Sequence, residues 1–228
     1  MFFRQRATQA EYFDELDRPR AEMVEAYAAL ANVNRWFWFA EPFQRLLPKY
    51  FGPEHCASLS ILDLGAGDGL LGNLLTDWAK QKRGWNWRFT NLDFNTTALS
   101  LNQAGENVAG SVLALPFRDG SFDLVIASQM THHLSDSEVV QHLREAWRVT
   151  RRGIFFSDLH RGPVLYGLLW VMFCVRRFPK HFRADGLLSV KRGFRIGELQ
   201  SMTGQAGIPG AQVWLHGGTR VILQARRK

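Results

Sequence analysis

The chain has 228 residues, which suits one large domain, or one domain with appended elements. Hydrophobic residues make up 46% of it, as in an ordinary globular protein, and the sequence holds no repeat or low-complexity segment. Cys56 and Cys174 lie far apart and lack the spacing of a metal site, so we expect free thiols in a reducing compartment. No apolar segment follows the first residues, so no signal peptide is expected and the predicted localisation is cytoplasmic.

The net charge of +7 is unevenly distributed. Residues 1–143 hold 12 Lys and Arg against 17 Asp and Glu, a balance of −5, whereas residues 144–228 hold 16 against 4, a balance of +12. A basic C-terminal part can indicate nucleic acid, an anionic lipid surface or an acidic substrate as a partner. It can equally be a solvated surface with a skewed count, and the composition leaves these alternatives open.

We predict an N-terminal helical cap over residues 1–54, followed by the main domain over residues 55–228 with an apolar helical insertion near residues 162–185. Apolar spacing predicts a helix over residues 21–43. This segment contains the aromatic run Trp36-Phe37-Trp38-Phe39, and large aromatic side chains are seldom exposed in clusters unless they bind something. Such a cap can cover the open edge of a site in the next domain, or it can simply pack into the core.

The central motif runs from Ile61 to Gly69 and reads Ile-Leu-Asp-Leu-Gly-Ala-Gly-Asp-Gly. A predicted strand over 59–64 ends in three glycines spaced two apart, and a predicted helix over 70–81 follows. Backbone N–H groups at a helix N-terminus and glycines that admit a ligand close to the main chain predict a nucleotide or cofactor site. Leu70 stands where a dinucleotide fingerprint needs a small residue, and no Gly-Lys-Ser/Thr of a P-loop follows.

With Asp63 two residues before the first glycine, Asp-Leu-Gly-Ala-Gly-Asp-Gly resembles motif I of class I S-adenosylmethionine (SAM)-dependent methyltransferases. The next predicted strand, over 87–92, closes on Asp93. A carboxylate at this place holds ribose hydroxyls in nucleotide-binding sheets, so Asp93 is predicted to accept hydrogen bonds from the ribose. Asn95 is the predicted N-cap of a helix that extends to Gln103.

The most specific resemblance lies between Leu113 and Ser128. This stretch contains Leu-Pro-Phe, an Asp-Gly turn and Phe-Asp-Leu-Val-Ile. It is similar to the third and fourth strands of methyltransferases related to the ubiquinone/menaquinone and sterol enzymes. Residues 122–128 are predicted to form a buried parallel strand. His132-His133-Leu134 resembles the same group. The family usually has Gly-Asp-Ala at the third strand, where the Asp faces the adenine amino group. This chain has Gly110-Ser111-Val112, which leaves the Ser111 hydroxyl and the Val112 backbone for that contact.

A predicted helix over 138–149 and a predicted strand over 153–158 follow. The 12 residues from Val164 to Val175 carry no charge and end at Arg176-Arg177. A bilayer span needs about 20 such residues, so this run is not a transmembrane helix. It is compatible with a buried helix, an apolar substrate lid or a segment lying in a membrane interface.

A predicted helix over 194–207 and two predicted strands over 211–215 and 219–225, with Gly217-Gly218 at the turn, complete the chain. The expected fold class is α/β: a Rossmann-like, seven-stranded, mostly parallel sheet with an antiparallel last strand pair, helices on both faces and the N-terminal helical cap. Class I methyltransferases have this sheet, and the resemblance covers residues 55–228.

The resemblance implies SAM as the cofactor and displacement at its sulfonium methyl, for which the protein supplies alignment and excludes water. The implied acceptor is small, apolar, and aromatic, phenolic or quinone-like, with O-methylation favoured over C-methylation. Nucleic acid is disfavoured because Ser128-Gln129-Met130-Thr131 replaces the Asn/Asp-Pro-Pro-Tyr of base N-methyltransferases. The alternative is a SAM-fold protein without methyl transfer that acts as a binding or membrane-surface partner. The oligomeric state stays open.

The predicted site residues fall into three sets, and no metal site is predicted. The candidate catalytic residues, imidazoles that could take up a proton from the acceptor, are His132, His133 and His160. The candidate cofactor-binding residues are Asp63, Gly65, Ala66, Gly67, Gly69, Asp93, Phe94, Ser111, Val112 and Gln129. The candidate substrate-binding residues are Trp36, Tyr166 and Trp170.

Overall fold

The computed structural model of the chain describes residues 3–15, 18–102 and 105–227. Short 3-10 turns lie at Tyr12–Asp14, Pro53–His55 and Thr131–His133, and a π-helical turn at Ala79–Arg83 extends the third helix. The helices and strands, in chain order, are α1 (Arg20–Trp36), α2 (Glu41–Phe51), β1 (Ser58–Leu64), α3 (Leu70–Trp78), β2 (Asn86–Asp93), α4 (Thr96–Leu99), β3 (Glu106–Ala109), β4 (Phe122–Ser128), α5 (Asp136–Val149), β5 (Thr150–Leu159), α6 (Pro163–Val175), α7 (Lys180–Arg192), α8 (Ile196–Gln205), β6 (Gln212–His216) and β7 (Arg220–Arg226).

The seven strands form one sheet in the order β3-β2-β1-β4-β5-β7-β6. Strands β1 to β5 pair in parallel, and β7 pairs antiparallel with both β5 and β6. This confirms the predicted fold class. The strand order changes direction between β1 and β4, and in open α/β sheets a ligand crevice lies outside the carboxyl ends of the strands at such a point.

The sheet is covered on both faces, as its apolar strands require. Ile61 and Leu62 are neighbours on β1, yet they belong to two different buried clusters because successive side chains point to opposite faces. Helix α2 packs on one of these faces, where the ring of Phe43 meets that of Phe155 edge-on at 5.3 Å between centroids. The division into residues 1–54 and 55–228 stays a prediction.

The single helix predicted over 21–43 is wrong, because the chain forms two helices there. Helix α1 ends at Trp36 and α2 begins at Glu41. Trp38 lies in the turn between them with a φ of 45°, a left-handed value that interrupts a helix. Pro42 then occupies the first turn of α2, where its missing N–H costs no hydrogen bond.

Two other predicted elements are shorter or shifted. Asn95 is the N-cap of α4 as predicted, since its side chain accepts the Ala98 N–H at 3.0 Å, but α4 ends at Leu99. Gln103, its predicted end, lies outside the described residues. The third strand is Glu106–Ala109, whereas residues 113–117 form a turn and bends.

The uncharged run after β5 forms α6, which packs beside α7. Leu165, Leu169 and Phe173 are buried and share a cluster with Val33 and Phe37 from the α1 region. Within residues 3–15, 18–102 and 105–227, each helix is too short or too polar to cross a bilayer.

Candidate functional site

A cavity of about 530 Å³ lies at the carboxyl ends of β1, β2, β4 and β5. Its volume falls in the range of small-molecule sites, about 300–1,000 Å³. The glycine loop after β1 lines part of it, and apolar residues of α1, α6 and α7 line another part. The cavity therefore extends from the predicted cofactor loop to the apolar run of the sequence.

Only glycine fits at two positions of the loop. Gly65 and Gly67 have φ of 66° and 57°. A Cβ on Gly65 would lie 2.1 Å from Met130 Cγ, and one on Gly67 would lie 2.9 Å from Tyr27 Cε1. Both positive φ values and the close approach of neighbours thus explain these glycines.

Asp93, at the end of β2, is buried and organises the loop. Its Oδ2 accepts the Gly67 N–H and its Oδ1 accepts the Asn95 N–H, both at 2.8 Å. Burial raises the pKa of Asp93 above its ordinary value, although these hydrogen bonds oppose the shift. Each carboxylate oxygen has two lone pairs, so Asp93 retains capacity for a ligand hydroxyl.

Asp63, at the end of neighbouring β1, also lines the cavity. Burial, reinforced by the charge of Asp93, raises the pKa of Asp63 to about 8. Its Oδ2 is buried and has no hydrogen-bond partner among the described residues. Such an oxygen is the kind of group that a cationic or hydroxyl group of a ligand satisfies.

Gln129 follows β4 directly and has a φ of 53°, which is unusual for a residue with a side chain. Two hydrogen bonds hold it in place. Its N–H donates to Ser157 O at 2.9 Å, and its Nε2 donates to Asn34 Oδ1 at 3.0 Å. Asn34 thereby joins α1 to the end of β4 at the wall of the cavity.

His132 is held by Asp158 at the end of β5. The His132 Nδ1 lies 2.6 Å from Asp158 Oδ1, and the His132 backbone N–H donates to Asp158 Oδ2 at 3.2 Å. Burial would raise the pKa of Asp158, but the adjacent His132 holds that pKa below its ordinary value. The other ring nitrogen of His132, Nε2, is buried without a hydrogen-bond partner among the described residues.

His133 is held in a similar way by Asp14 from the N-terminal segment. The His133 Nδ1 lies 2.7 Å from Asp14 Oδ1, and Arg192 Nη1 donates to Asp14 Oδ2 at 2.8 Å. Burial opposes ionisation of Asp14, yet the contacts with His133 and Arg192 hold its pKa well below the usual range. Both imidazoles of the pair therefore have a carboxylate on Nδ1.

Glu11, three residues before Asp14, is a second buried carboxyl from the N-terminal segment. Its Oε1 accepts a hydrogen bond from Ser189 Oγ at 2.8 Å and lies 3.9 Å from His132 Nε2. Burial raises the pKa of Glu11 above its ordinary value, against the pull of His133. Glu11 and Asp14 both line the cavity.

Arg220, at the start of β7, places a buried cation in the cavity wall. Its Nη2 donates to Phe37 O at 3.2 Å, whereas its Nη1 is buried without a partner among the described residues. Burial lowers the pKa of Arg220 to about 10, which still leaves it charged at neutral pH. The side chains around it on the wall include Leu159, Leu165 and Leu169.

Eleven of the predicted site residues line this cavity together. They are Asp63, Gly65, Ala66, Gly67, Asp93, Phe94, Ser111, Val112, Gln129, His132 and His133. The other five, Gly69, His160, Trp36, Tyr166 and Trp170, are not among the described residues that line it.

Those five residues lie around the cavity rather than in its wall. His160 donates its backbone N–H to Thr219 O at 2.9 Å, and partial burial lowers its pKa. Trp170 is 54% exposed on the outer face of α6. Trp36 is also exposed, with the Arg176 guanidinium 4.6 Å from its ring centroid. Tyr166 meets Phe3 edge-on, and Gly69 precedes α3.

Sequence reasoning did not single out several polar residues of the wall, among them Glu11, Asp14, Tyr27, Asn34 and Arg220, and it also missed Asp158, which holds His132. Asp158 had a usable signal, because it ends a predicted strand as Asp93 does. Glu11, Asp14, Tyr27 and Asn34 come from the N-terminal part, whose packing against the sheet has no local pattern. Arg220 lies in a predicted strand, but nothing in its sequence context places it at a cavity.

Residues 62–157 match a protein-family model described as a methyltransferase domain. A probable SAM-dependent methyltransferase of Mycolicibacterium smegmatis is 30% identical over 132 residues, which are 56% of this chain and just under half, 46%, of that protein. The ubiquinone biosynthesis O-methyltransferase of Bordetella parapertussis is 27% identical over 205 residues, with 81% of this chain and 79% of that protein covered.

Solved structures share the fold at low sequence identity. A SAM-dependent methyltransferase of Aquifex aeolicus has a TM-score of 0.60 and 15% identity, covering 92% of this chain and 99% of that one. An N-methyltransferase of Haemonchus contortus in complex with S-adenosylhomocysteine has a TM-score of 0.52 and 14% identity, covering 75% of this chain and 38% of that one.

The cavity fits SAM on the evidence of its own residues. The glycine loop lines the cavity with its backbone, and Asp93 retains acceptor capacity for a ribose diol. The unpartnered oxygen of Asp63 suits the cofactor's ammonium group. The matched segment 62–157 is therefore similar to a methyltransferase domain, the sheet has the fold of solved SAM-dependent methyltransferases, and the cavity fits SAM as the cofactor.

Proposed function

We propose that this chain transfers the methyl group of SAM to an oxygen of a small, apolar, aromatic, phenolic or quinone-like acceptor. The observation that carries the proposal is the single cavity that joins the glycine loop to the His132–His133 pair and to an apolar wall. Because all three line one cavity, a cofactor at the loop and an acceptor at the apolar wall would occupy the same site.

The acceptor class follows from the apolar part of the cavity wall. Leu165, Leu169 and Phe173 on α6 present apolar surface to the cavity. Arg220 adds one buried cation with a free N–H at Nη1, which suits a carbonyl or phenolate oxygen of an otherwise apolar molecule. The partial likeness to a ubiquinone O-methyltransferase agrees with such an acceptor.

The chain's residues divide between cofactor and acceptor. We assign Asp63, Asp93 and the glycine loop to SAM, and Ser111 and Val112 to its adenine. We assign His132 and His133 to the acceptor oxygen, since they lie in the same cavity and His132 has an unpartnered Nε2. Activation of a hydroxyl by such groups contributes roughly 10²–10⁴-fold to rate.

The test is a methyl-transfer assay with methyl-labelled SAM and a panel of phenols, catechols and quinols, read by mass spectrometry. We expect a product heavier by one methyl and stoichiometric S-adenosylhomocysteine. Asp93→Ala should lose the activity, and Asp77→Ala, which changes an exposed carboxylate on α3, should keep it. Micromolar binding of S-adenosylhomocysteine without turnover of any oxygen acceptor would contradict O-methyl transfer.

A second role, peripheral contact with an anionic membrane, has its own observation. The outer face of α6 is apolar and exposed, so this helix is hydrophobic on all sides although only one side is buried. Its exposed side chains are Val164, Leu168, Trp170, Val171 and Val175, with Trp36 and Trp38 exposed on α1 and the turn that follows it.

Basic residues follow this apolar face. Arg176, Arg177, Lys180 and Arg183 are exposed, and no acidic residue interrupts them. Each Lys or Arg near an anionic leaflet contributes about 1 kcal/mol, and exposed tryptophan suits the interface. An apolar acceptor could then reach the cavity from the bilayer along the inner face of α6.

Flotation with phosphatidylcholine vesicles, with and without phosphatidylglycerol, tests this contact. We expect binding to the anionic vesicles that falls as salt is raised. Trp170→Asp and Arg177→Glu should each weaken it, whereas Leu215→Asp, at an exposed position of β6, should not. Equal binding by the wild type and Trp170→Asp would exclude α6 as the contact surface.

A further inference from the structure

We propose that Glu11, His132 and His133 form a binding site for one divalent transition-metal ion in the cavity wall. Each residue offers one ligand atom, and these atoms all lie within 4.8 Å of one another. Two imidazoles and one carboxylate form a common triad for such ions and leave further coordination positions open.

The unpartnered nitrogen of His132 points to a missing ligand. His132 is 2% exposed, and its Nε2 has no hydrogen-bond partner among the described residues. Glu11 Oε1 lies 3.9 Å from that nitrogen, too far for a hydrogen bond. Two metal bonds of about 2.1 Å each span up to about 4.2 Å, so an ion fits between the two atoms.

The surroundings of both histidines match those of metal ligands. A metal-bound imidazole almost always donates its other N–H to a carboxylate or carbonyl, which fixes the ring and its tautomer. Asp158 does this for His132 at 2.6 Å, and Asp14 does it for His133 at 2.7 Å. Each ring therefore has its Nδ1 occupied and its Nε2 left for the ion.

The local charge also favours a cation. Arg192 pairs with Asp14 and lies 3.9 Å from Glu11, so it offsets part of the negative charge. Arg6 contacts the His132 carbonyl but is paired with Asp136. Five carboxyl groups interact electrostatically with the histidine pair: Glu11, Asp14, Asp93, Asp158 and Asp185. They outnumber the two buried cations nearby, Arg192 and Arg220.

The ligand set favours Zn²⁺, Mn²⁺ or Fe²⁺ over Mg²⁺ and Ca²⁺, which prefer oxygen ligands. The role of the ion rests on the proposed function. An ion beside the acceptor oxygen would lower the pKa of an acceptor hydroxyl, so that its proton passes to solvent water. The oxygen would then form its bond to the methyl carbon as the sulfonium C–S bond of SAM breaks and S-adenosylhomocysteine leaves. The histidine pair would then act on the acceptor through the ion instead of as a direct base.

Untagged protein, stripped with chelator and dialysed, should be titrated calorimetrically with Zn²⁺, Mn²⁺ and Mg²⁺. We expect one equivalent of Zn²⁺ or Mn²⁺ to bind at micromolar or lower concentration, and Mg²⁺ to bind at least tenfold more weakly. Glu11→Gln and His133→Gln should each weaken binding at least tenfold, and His55→Gln, a change at an exposed histidine, should leave it unchanged. Co²⁺ should give the visible spectrum of a nitrogen- and oxygen-ligated ion.

The melting temperature and S-adenosylhomocysteine binding of each variant show that it is folded. If Glu11→Gln does not fold, the metal affinity of His133→Gln tests the site by itself, because His133 is less buried. Binding that is unchanged in the variants, or no binding by the wild type, would overturn the metal site. If the protein binds no metal but still transfers methyl groups, the metal site is wrong and the proposed function stands. If it binds metal but transfers no methyl group, the proposed function is wrong and the metal site stands.

Discussion

The carboxylate of Asp93 at the end of β2 accepts the backbone N–H of Gly67 at 2.8 Å, and this bond ties the second strand to the loop after the first. Asp93 thus shapes the loop, and in the proposed function it also offers oxygens to a ribose. Asp93→Ala should weaken S-adenosylhomocysteine binding at least about tenfold, because charge-assisted hydrogen bonds are lost. Calorimetry measures this against Asp77→Ala, and equal affinity of the two variants would remove Asp93 from the site.

The glycine loop gives a second prediction. Gly67→Ala should reduce S-adenosylhomocysteine affinity at least about tenfold, since its Cβ would lie 2.9 Å from the Tyr27 ring at a φ of 57°. Gly84→Ala is a matched control, because Gly84 has a φ of 68° but no atom near the added Cβ. It should cost about 1 kcal/mol of stability and leave binding intact. Normal binding by Gly67→Ala would contradict the loop assignment.

Most of the fold was predictable because its signals are local. The strands at residues 59–64, 87–92 and 122–128 were predicted within one residue. Alternation of apolar residues indicates the first two, and an apolar run indicates the third as a buried parallel strand. The antiparallel pair around Gly217-Gly218 was predicted equally well from its turn. The two-helix arrangement before residue 54 was missed, because a left-handed Trp38 leaves no signature in the residue pattern.

The site was predictable only where one strand and its loop supply the residues. Asp63, the loop glycines and Asp93 follow consecutive strands, so their meeting at one edge follows from the topology. Glu11 lies more than one hundred residues from His132, and only tertiary packing brings them within 3.9 Å. A cluster assembled in this way has no ligand spacing that a sequence can reveal, which is why no metal site was expected.

Arg220 supplies a prediction about the acceptor. Its Nη1 is buried in the cavity wall without a partner among the described residues. Arg220→Met should therefore raise KM for an oxygen-bearing acceptor at least about tenfold, because a charged hydrogen bond contributes about 1.5–3 kcal/mol. Steady-state kinetics with varied acceptor and saturating SAM measures this. An unchanged KM, with S-adenosylhomocysteine affinity preserved, would show that Arg220 only balances the charge of Asp158.

His142 on α5 supplies a prediction about pH and stability. It is fully buried beside Phe156, with ring centroids 5.2 Å apart, and burial lowers its pKa to about 4. An unfolded histidine has a pKa of about 6.5, so below that pH the unfolded chain binds a proton that the folded chain does not. Stability should therefore fall as pH drops from 6.5 towards 4.

Urea unfolding at several pH values, compared between the wild type and His142→Leu, isolates this contribution. The wild type should lose more free energy of unfolding than the variant across that window, by on the order of 3 kcal/mol for a shift of this size. His55→Leu, at an exposed histidine, should follow the wild type. Parallel pH profiles for the wild type and His142→Leu would mean that His142 takes up its proton in the folded state, and that its buried ring has a partner that the present contacts do not provide.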